Sequence, residues 1–178
     1  ETCLVSINGT VLGDGEDVHV YVLSTGIHVA HPQFSGRAHN TWKIGAAPWS
    51  DCSGYGTLIA GVIGADSWGV ADGAQLHSVK VTQNCYAGAY WSDLIAGFNW
   101  VAGNHLKPAV AMTNFVGDKN PAANAAVQTM IDEGVFVALA AGDNGDDACD
   151  VSPAGHGNAY TVAASDDSDQ AWPDNNWG

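Results

Sequence analysis

Hydrophobic and polar positions divide the chain into short apolar runs and longer segments with helical spacing. The apolar runs are rich in β-branched residues and predict five strands, over residues 18–23, 76–81, 109–113, 135–141 and 160–164, of which the first is expected to be buried. The segments between them predict three helices, over residues 57–64, 91–104 and 121–133. This alternation of strands and helices favours an α/β fold with a mostly parallel sheet.

Two of the predicted helices begin at recognisable residues. Ser92 or Asp93 is a candidate N-cap for the second helix, and Pro121 suits the first turn of the third. The acidic tail over residues 166–178 is rich in Trp and Asn, and it is predicted to form a surface loop. A chain of this length, without an internal repeat or a long linker, is expected to form one domain over residues 1–178.

Composition restricts the classes of partner. Apolar residues make up 46% of the chain and charged residues 13%, which argues against a disordered protein. Nineteen acidic residues face only five Lys and Arg, so the formal net charge is −14. This charge repels phosphate backbones and anionic lipid surfaces, and the apolar run over residues 135–141 is too short to span a bilayer. We therefore expect neither a nucleic-acid partner nor a membrane partner.

The first residue and the cysteines favour a secreted protein. The chain begins with Glu1 rather than Met, which we interpret as the mark of a processed, mature product. Its four cysteines, Cys3, Cys52, Cys85 and Cys149, are widely spaced and contain no CxxC pair, so disulfides are favoured over a zinc site. Four cysteines allow three pairings, and the spacing leaves all three open.

Several segments resemble, in order and spacing, the characteristic segments of subtilases, and the proteinase K branch of that family is the most similar. The segments are VYVLSTGI from Val20, HPQFSGRA from His31, GYGTLIAG from Gly54, WGVA from Trp68, VKV from Val79, LIAG from Leu94, ALAAG from Ala138, SPA from Ser152 and VAASD from Val162. The resemblance implies a three-layer α/β sandwich with a mostly parallel, subtilisin-like sheet. It also implies that the C-terminal part of that fold lies outside this chain.

The same resemblance implies that the catalytic residues of the family are missing. The position of the catalytic Asp is occupied by Ser24, that of the catalytic His by Tyr55, and that of the oxyanion-binding Asn by Asp143. A carboxylate at this last position would repel a developing oxyanion. The segment that carries the nucleophilic serine is not found before Gly178. Since a serine peptidase needs acid, base and nucleophile together, we expect no peptidase activity from this chain.

The resemblance also locates the substrate cleft. The SLGG strand of the family, which binds substrate, corresponds here to Asn114, Phe115, Val116 and Gly117. Larger side chains thus replace the glycine that admits a substrate side chain. Cys52 and Cys85 lie in loops that flank the cleft in this family, which implies a Cys52–Cys85 disulfide and leaves Cys3 with Cys149.

The resemblance leaves calcium possible, because part of the family's main calcium site maps onto this chain. Its carbonyl ligands fall near Gly157 and Ala159, while its carboxylate ligand would lie beyond Gly178. A second candidate, the acidic loop over residues 143–150, lacks the spacing of an EF-hand loop, so a solvated surface is the better interpretation. We therefore expect no cofactor.

A partner is expected because the family's fold continues beyond this chain. Without that continuation, the sheet would expose more apolar surface than a soluble monomer tolerates. We expect a second polypeptide chain that completes the fold, as in a nicked precursor. A homodimer is the alternative.

The resulting hypothesis is a catalytically inactive subtilase homologue, a secreted pseudoprotease that acts by binding. Because the proteinase K branch has many fungal members, the role would be a fungal defence, toxin-like or regulatory one. The alternative is a hydrolase with a changed mechanism that uses Ser24, Tyr55 or Asp143 in the same cleft. Binding is favoured because two hydroxyls in place of an Asp–His pair keep the scaffold hydrogen-bonded, whereas neither hydroxyl has an obvious base.

Overall fold

The predicted α/β class is confirmed by the structure. This computed structural model describes residues 13–85 and 88–178, together with the backbone of residues 6–7 and 10–11. Its main feature is a six-stranded sheet in which every neighbouring pair of strands is parallel. Helices pack on both faces of this sheet.

Five of the strands and the three α-helices follow each other in the order that the hydrophobic pattern predicts. The strands are β1 (Ser6–Ile7), β2 (Thr10–Val11), β3 (His19–Ser24), β4 (Ala38–Lys43), β5 (Gln75–Lys80), β6 (Ala109–Thr113), β7 (Gly117–Asp118), β8 (Val135–Ala140), β9 (Val151–Ser152) and β10 (Tyr160–Val162). The helices are α1 (Tyr55–Gly64), α2 (Trp91–Asn104) and α3 (Pro121–Asp132), with short 3₁₀ helices at Pro32–Phe34 and Ala148–Asp150.

The sheet has the strand order β10-β8-β6-β3-β5-β4. Helices α2 and α3 cover one face, where Leu23, Phe98 and Met130 are fully buried in the larger core. Helix α1 lies on the other face over β3 and β5, and it encloses a smaller core around Val22 and Leu76. Parallel strands require such crossover helices, which is why the alternating sequence pattern leads to this topology.

The hydrophobic pattern does not predict strand β4. Its sequence, AHNTWK, is mostly polar and has no apolar alternation. It lies at the edge of the sheet beside β5, and His39 and Asn40 are exposed. An edge strand gains its hydrogen bonds from one neighbour and does not need two buried faces, so a pattern based on burial misses it.

The predicted N-cap of α2 is wrong. The cap residue is Tyr90, whose side chain makes no capping hydrogen bond, and Ser92 and Asp93 lie inside the first turn. Asp93 is buried there, and its carboxylate accepts a hydrogen bond of 2.7 Å from the Gln83 side chain. A carboxylate in the first turn still favours the helix through its dipole, although it does not cap it.

The Cys52–Cys85 disulfide is confirmed, with 5.2 Å between the two Cα atoms. It ties the loop before α1 to the loop after β5. Cys149 is a free and exposed cysteine, and Cys3, the partner expected for it, lies outside the described residues. Within the part of the chain that the structure describes, none of the helices combines the length and apolar character needed to cross a membrane.

Candidate binding cleft

An open groove of about 440 Å³ lies where β6 and β8 end, and we call it the candidate cleft. Parallel strands bring their carboxyl ends to one edge, so the loops that follow them meet there. The groove is lined by five residues singled out from the sequence and by an exposed tryptophan: Tyr55, Asn114, Phe115, Val116, Asp143 and Trp172. The fourth predicted substrate-strand residue, Gly117, lies instead in β7 and pairs with Ser152.

Ser24 lies beneath the candidate cleft rather than in its wall. It is the last residue of β3, it is fully buried, and its hydroxyl donates a hydrogen bond of 2.8 Å to the Asn114 side-chain oxygen. Its partner is therefore Asn114 and not Tyr55. A serine held in this way has neither a base nor access to a substrate, so its contribution is to position the Asn114 side chain.

A carboxylate that the sequence analysis does not single out, Asp51, organises the start of α1. It accepts four hydrogen bonds, from the Thr25 hydroxyl, the Gly54 N–H, and the Thr57 N–H and hydroxyl, at 2.6–3.0 Å. Partial burial alone raises the pKa of Asp51, but these hydrogen bonds outweigh it, so the pKa lies below its usual value. Asp51 thus caps the N-terminus of α1, because the N-cap residue itself, Gly54, has no side chain that could accept these hydrogen bonds.

Lys80 links the turn after β3 to the loop before α1. Its side chain is fully buried, and the ammonium group donates to the carbonyl oxygens of Thr25 and Ser50 at 2.6 and 3.0 Å. Burial lowers the pKa of Lys80, and the Asp51 carboxylate partly opposes that shift. A buried cation that donates to two backbone carbonyls is a structural cross-link, and no substrate can reach it.

The turn after β3 and the first turn of α1 lie so close together that only a glycine fits at position 56. A Cβ atom at this position would lie 2.1 Å from the Gly26 carbonyl oxygen. The neighbouring N–H of Gly56 donates to the Thr25 hydroxyl at 2.9 Å. This contact sets the position of Tyr55, the first residue of α1, at the edge of the candidate cleft.

Asn176 holds the loop after β8, which forms part of the candidate cleft. Its side chain is buried, its oxygen accepts from the N–H groups of Asn144 and Asp146, both at 3.0 Å, and its amide donates to the Ala141 carbonyl at 2.9 Å. The loop that carries Asp143 is therefore fastened by the tail of the chain. The composition of this tail predicts a surface loop, and most of its residues are exposed, but the Asn176 side chain is buried and holds the loop after β8.

The side chains of the candidate cleft offer hydrogen bonds and apolar contact, but no nucleophile with a base. One carboxylate, one phenol and three side-chain amides line it beside Phe115, Val116 and Trp172. Among the described residues, none of the lining side chains is a histidine, lysine, serine or cysteine. Triad-type catalysis needs a nucleophile within hydrogen-bond reach of a base, and the described lining of the cleft does not contain such a pair.

The residues that the resemblance relates to calcium are not accompanied by a group of carboxylates in the part of the chain that the structure describes. Gly157 and Ala159 line a larger groove, of about 770 Å³, that adjoins the candidate cleft at Trp172. Its described lining contains no Asp or Glu, whereas calcium takes six to eight oxygens and usually several carboxylates. In the described parts of the chain, no three His, Cys, Asp or Glu side chains are grouped to hold a metal ion.

Comparison with known proteins gives a consistent result. The sequence profile of the subtilase family matches residues 15–178. An extracellular serine proteinase of Thermus sp. (strain Rt41A) is 40% identical over 173 residues, and alkaline protease 1 of Emericella nidulans (strain FGSC A4 / ATCC 38163 / CBS 112.46 / NRRL 194 / M139) is 39% identical over 170 residues. These matches cover 95% and 92% of this chain but only 42% and 41% of the relatives.

A solved structure supports the same relationship. The crystal structure of a cold-adapted subtilisin-like serine proteinase superposes with a TM-score of 0.90 and 35% identity. The superposition covers all of this chain and 66% of the other. The chain thus spans about two fifths of the curated relatives and two thirds of the solved homologue. Fold, sequence segments and family profile agree, and the chain belongs to the subtilase family.

Proposed function

We propose that this protein is a catalytically inactive subtilase homologue that binds extended polypeptide in the candidate cleft without hydrolysing it. The observation that carries the proposal is the composition of the cleft, where the described lining has no imidazole, amine, serine or thiol. By the family resemblance, Ser24, Tyr55 and Asp143 stand where the acid, the base and the oxyanion donor belong. Ser24 is buried and bonded to Asn114, so it cannot orient a base.

A hydrolase with a changed mechanism has less support. Tyr55 is half exposed at the mouth of the cleft, and its phenol has no hydrogen-bond partner among the described residues. Asp143 is exposed in the opposite wall. A phenol becomes a nucleophile or a proton donor near neutral pH only when a neighbouring base or cation activates it. Among the described residues that line the cleft with Tyr55, none is a lysine, an arginine or a histidine, and the carboxylate of Asp143 is exposed to solvent.

The shape and chemistry of the cleft suit binding. Trp172 is half exposed, and Phe115 and Val116 are half-buried, so all three retain apolar area for a ligand to cover. Side-chain amides and the backbone of the 140–144 loop lie beside this apolar surface. An apolar lining with a few polar groups is the usual composition of a binding site, and exposed tryptophan is a frequent energetic anchor.

The proposed place of action is outside the cell. The Cys52–Cys85 disulfide supports this, since such bonds persist in oxidising compartments. The relative from Thermus is named an extracellular serine proteinase. A fungal defence, toxin-like or regulatory role fits a secreted binder, and detecting the protein in culture filtrate of its source organism would test the location.

Catalysis is tested with a fluorophosphonate probe and with fluorescein-labelled casein, across pH 4–10. We expect neither covalent labelling of the protein nor release of labelled fragments, because the cleft has no activated nucleophile. Covalent labelling, or casein hydrolysis that Tyr55→Phe abolishes, would establish the hydrolase instead.

Binding is tested with the same casein as an unfolded polypeptide ligand, followed by fluorescence anisotropy. We expect Trp172→Ala to weaken binding by about tenfold or more, as for an aromatic anchor. Trp68→Ala is the matched control, since Trp68 is similarly exposed but lies outside the candidate cleft. Equal effects of the two substitutions would place the binding site elsewhere.

A further inference from the structure

An asparagine in the loop after β8 is followed directly by a glycine, at Asn144-Gly145. This part of the loop, over residues 143–146, forms bends and belongs to neither a helix nor a strand. The described residues contain no second Asn-Gly pair, since the other one in the sequence, at residues 8–9, lies outside them. Asn144 is exposed, and it lines the candidate cleft beside Asp143.

An Asn-Gly pair carries its own nucleophile. The glycine nitrogen attacks the side-chain carbonyl carbon of the asparagine, a new C–N bond closes a five-membered succinimide ring, and the side-chain nitrogen leaves as ammonia with the proton of the attacking N–H. Water then opens the ring at one of its two carbonyls, which leaves an aspartate or an isoaspartate. Water is the only co-reactant, and the overall change is the hydrolysis of one amide to a carboxylate and ammonium. Glycine favours ring closure because it has no Cβ to obstruct the attack and adopts many backbone conformations.

The Asn144 side chain is available for this reaction. Its amide has no hydrogen-bond partner among the described residues, although the backbone N–H of the same residue donates to the Asn176 side-chain oxygen at 3.0 Å. Gly145 has a φ of +73°, and no heavy atom lies within 4 Å of the position that a Cβ would take. The backbone at Gly145 therefore has space to turn its nitrogen towards the Asn144 side chain.

Hydrogen bonds restrain the reaction while the loop is closed. The Gly145 N–H, which carries the attacking nitrogen, donates to the Asp174 carbonyl oxygen at 3.0 Å. On either side of it, the N–H groups of Asn144 and Asp146 donate to the Asn176 side-chain oxygen, both at 3.0 Å. Attack requires these contacts to break, so the rate depends on the fraction of molecules in which the loop is open. Exposed loops open at a much lower free energy than the core of a protein.

Other asparagines of the described chain do not combine these features. Asn158 is also exposed, but its amide donates to the Gln128 side chain, and Ala159 follows it. Asn176 is buried, its side-chain oxygen and nitrogen are both hydrogen-bonded, and Trp177 follows it. A side chain on the following residue hinders the attack, and a bonded amide is held away from it.

We propose that Asn144 is a self-modification site, at which deamidation through the Gly145 nitrogen replaces an amide of the candidate cleft by a carboxylate. The described lining contains the carboxylate of Asp143 and no lysine, arginine or histidine, so the added charge has no basic side chain beside it. Two adjacent carboxylates repel anionic ligands and favour basic ones. The modification itself does not depend on the proposed function, whereas its effect on binding rests on that function.

The test is incubation of the folded protein at mildly alkaline pH in water enriched in oxygen-18, followed by digestion in ordinary water and peptide mapping by mass spectrometry. Ring opening during the incubation inserts one labelled oxygen, so deamidation during digestion is recognised by its lack of label. We expect the label to enter the peptide with Asn144 about tenfold or more faster than the peptide with Asn158. Asn144→Gln should abolish the label at this position, since the longer side chain would have to close a less favourable six-membered ring.

Two further variants test the hydrogen bonds that restrain the loop. Asn176→Ala should raise the rate at Asn144 about tenfold or more, because two N–H groups lose their acceptor and the open loop becomes more populated. Asn158→Ala is the matched control, since it removes an exposed amide elsewhere and should leave this rate unchanged. The proposal would be overturned by an absence of label at Asn144 in the folded protein, or by equal rates at Asn144 and Asn158.

Asn144→Asp reproduces the charge of the product and tests the effect on binding. Casein is an acidic polypeptide, so fluorescein-labelled casein should bind this variant a few-fold more weakly than the wild type, with a difference that shrinks at high salt. Asn158→Asp is the control, because it adds the same charge outside the candidate cleft. Equal affinities of the two variants would overturn the effect on binding. An absence of casein binding by the wild type would instead overturn the proposed function, and the oxygen-18 result would still decide whether Asn144 is modified.

Discussion

At the scale of single residues, the candidate cleft is held by polar side chains that do not themselves face a ligand. Asp51 and Lys80 fix the turn after β3 and the start of α1, while Asn176 fixes the loop after β8. Each joins segments that are more than five residues apart in the chain, and each satisfies several backbone groups at once. Buried backbone groups must be paired, so these side chains carry the local architecture.

Asn176→Ala should therefore open the loop that carries Asp143. Three backbone groups lose their partner, and we expect the free energy of unfolding to fall by about 2–3 kcal/mol. Hydrogen exchange measures the local effect, since the N–H groups of Asn144 and Asp146 should lose protection. The control is Asn158→Ala, an exposed amide whose hydrogen bond among the described residues goes to the Gln128 side chain. Unchanged protection at both N–H groups would contradict this role of Asn176.

At the scale of elements, three histidines lie side by side on strands β3, β4 and β5. The His77 ring stacks on Tyr21 at 4.6 Å between ring centroids, and its nitrogens lie 2.9 Å from His19 and 3.0 Å from the Thr41 hydroxyl. His39 completes the row at 5.4 Å between centroids. Burial, followed by the charges of His19 and His39, lowers the pKa of His77 to about 4.

The stability of the sheet edge should therefore decrease in acid. Because the pKa of His77 is lower in the folded than in the unfolded protein, protonation favours unfolding. The stability is fully present above about pH 6.5 and is lost as the pH falls towards 4, by about 3 kcal/mol for this shift. Urea unfolding at pH 7 and pH 4.5 should show a smaller difference for His77→Gln than for the wild type. The control His156→Gln, a half-buried residue outside this row, should keep the wild-type difference.

The helices and strands also show how much of this fold can be predicted from local sequence patterns. The strands and helices that bury an apolar side appear where periodicity indicates, with ends displaced by one or two residues. Periodicity does not indicate strand β4, because its side chains are mostly polar and its pairing partner, β5, lies more than thirty residues away in the chain. The N-cap of α2 differs for a similar reason, since Asp93 finds a partner in Gln83.

At the scale of the whole molecule, the Cys52–Cys85 disulfide connects the two sides of the α1–β5 unit. It closes a loop with a sequence separation of 33 residues. Loop closure of this size restricts the unfolded chain, which corresponds to about 3–4 kcal/mol of stability in the chain-entropy description.

Replacing both cysteines by serine should lower the free energy of unfolding by about this amount. Chemical unfolding of the double variant measures it. Cys149→Ser is the matched control and should change stability little, since that thiol is exposed and unpaired. A double variant as stable as the wild type would show that the loops are held by their other contacts.

Residue patterns and short sequence segments were enough to predict the structural class, the order of the core elements and the family. These three properties depend on local residue spacing and on segments of a few residues, so they can be predicted without a structure. The same resemblance predicts that Ser24, Tyr55 and Asp143 replace catalytic side chains of the family, and this stays a prediction. Residues Tyr55, Asp143 and the 114–116 strand could even be expected in one cleft, because the resemblance carries the known arrangement of the segments.

Only the tertiary structure decided which groups satisfy each other. Ser24 donates a hydrogen bond to Asn114 from below the cleft. Asn176 accepts hydrogen bonds from a loop that ends thirty residues before it in the chain. The physical reason is the same in each case: a polar group accepts any suitable partner, and the fold brings that partner from a distant part of the chain.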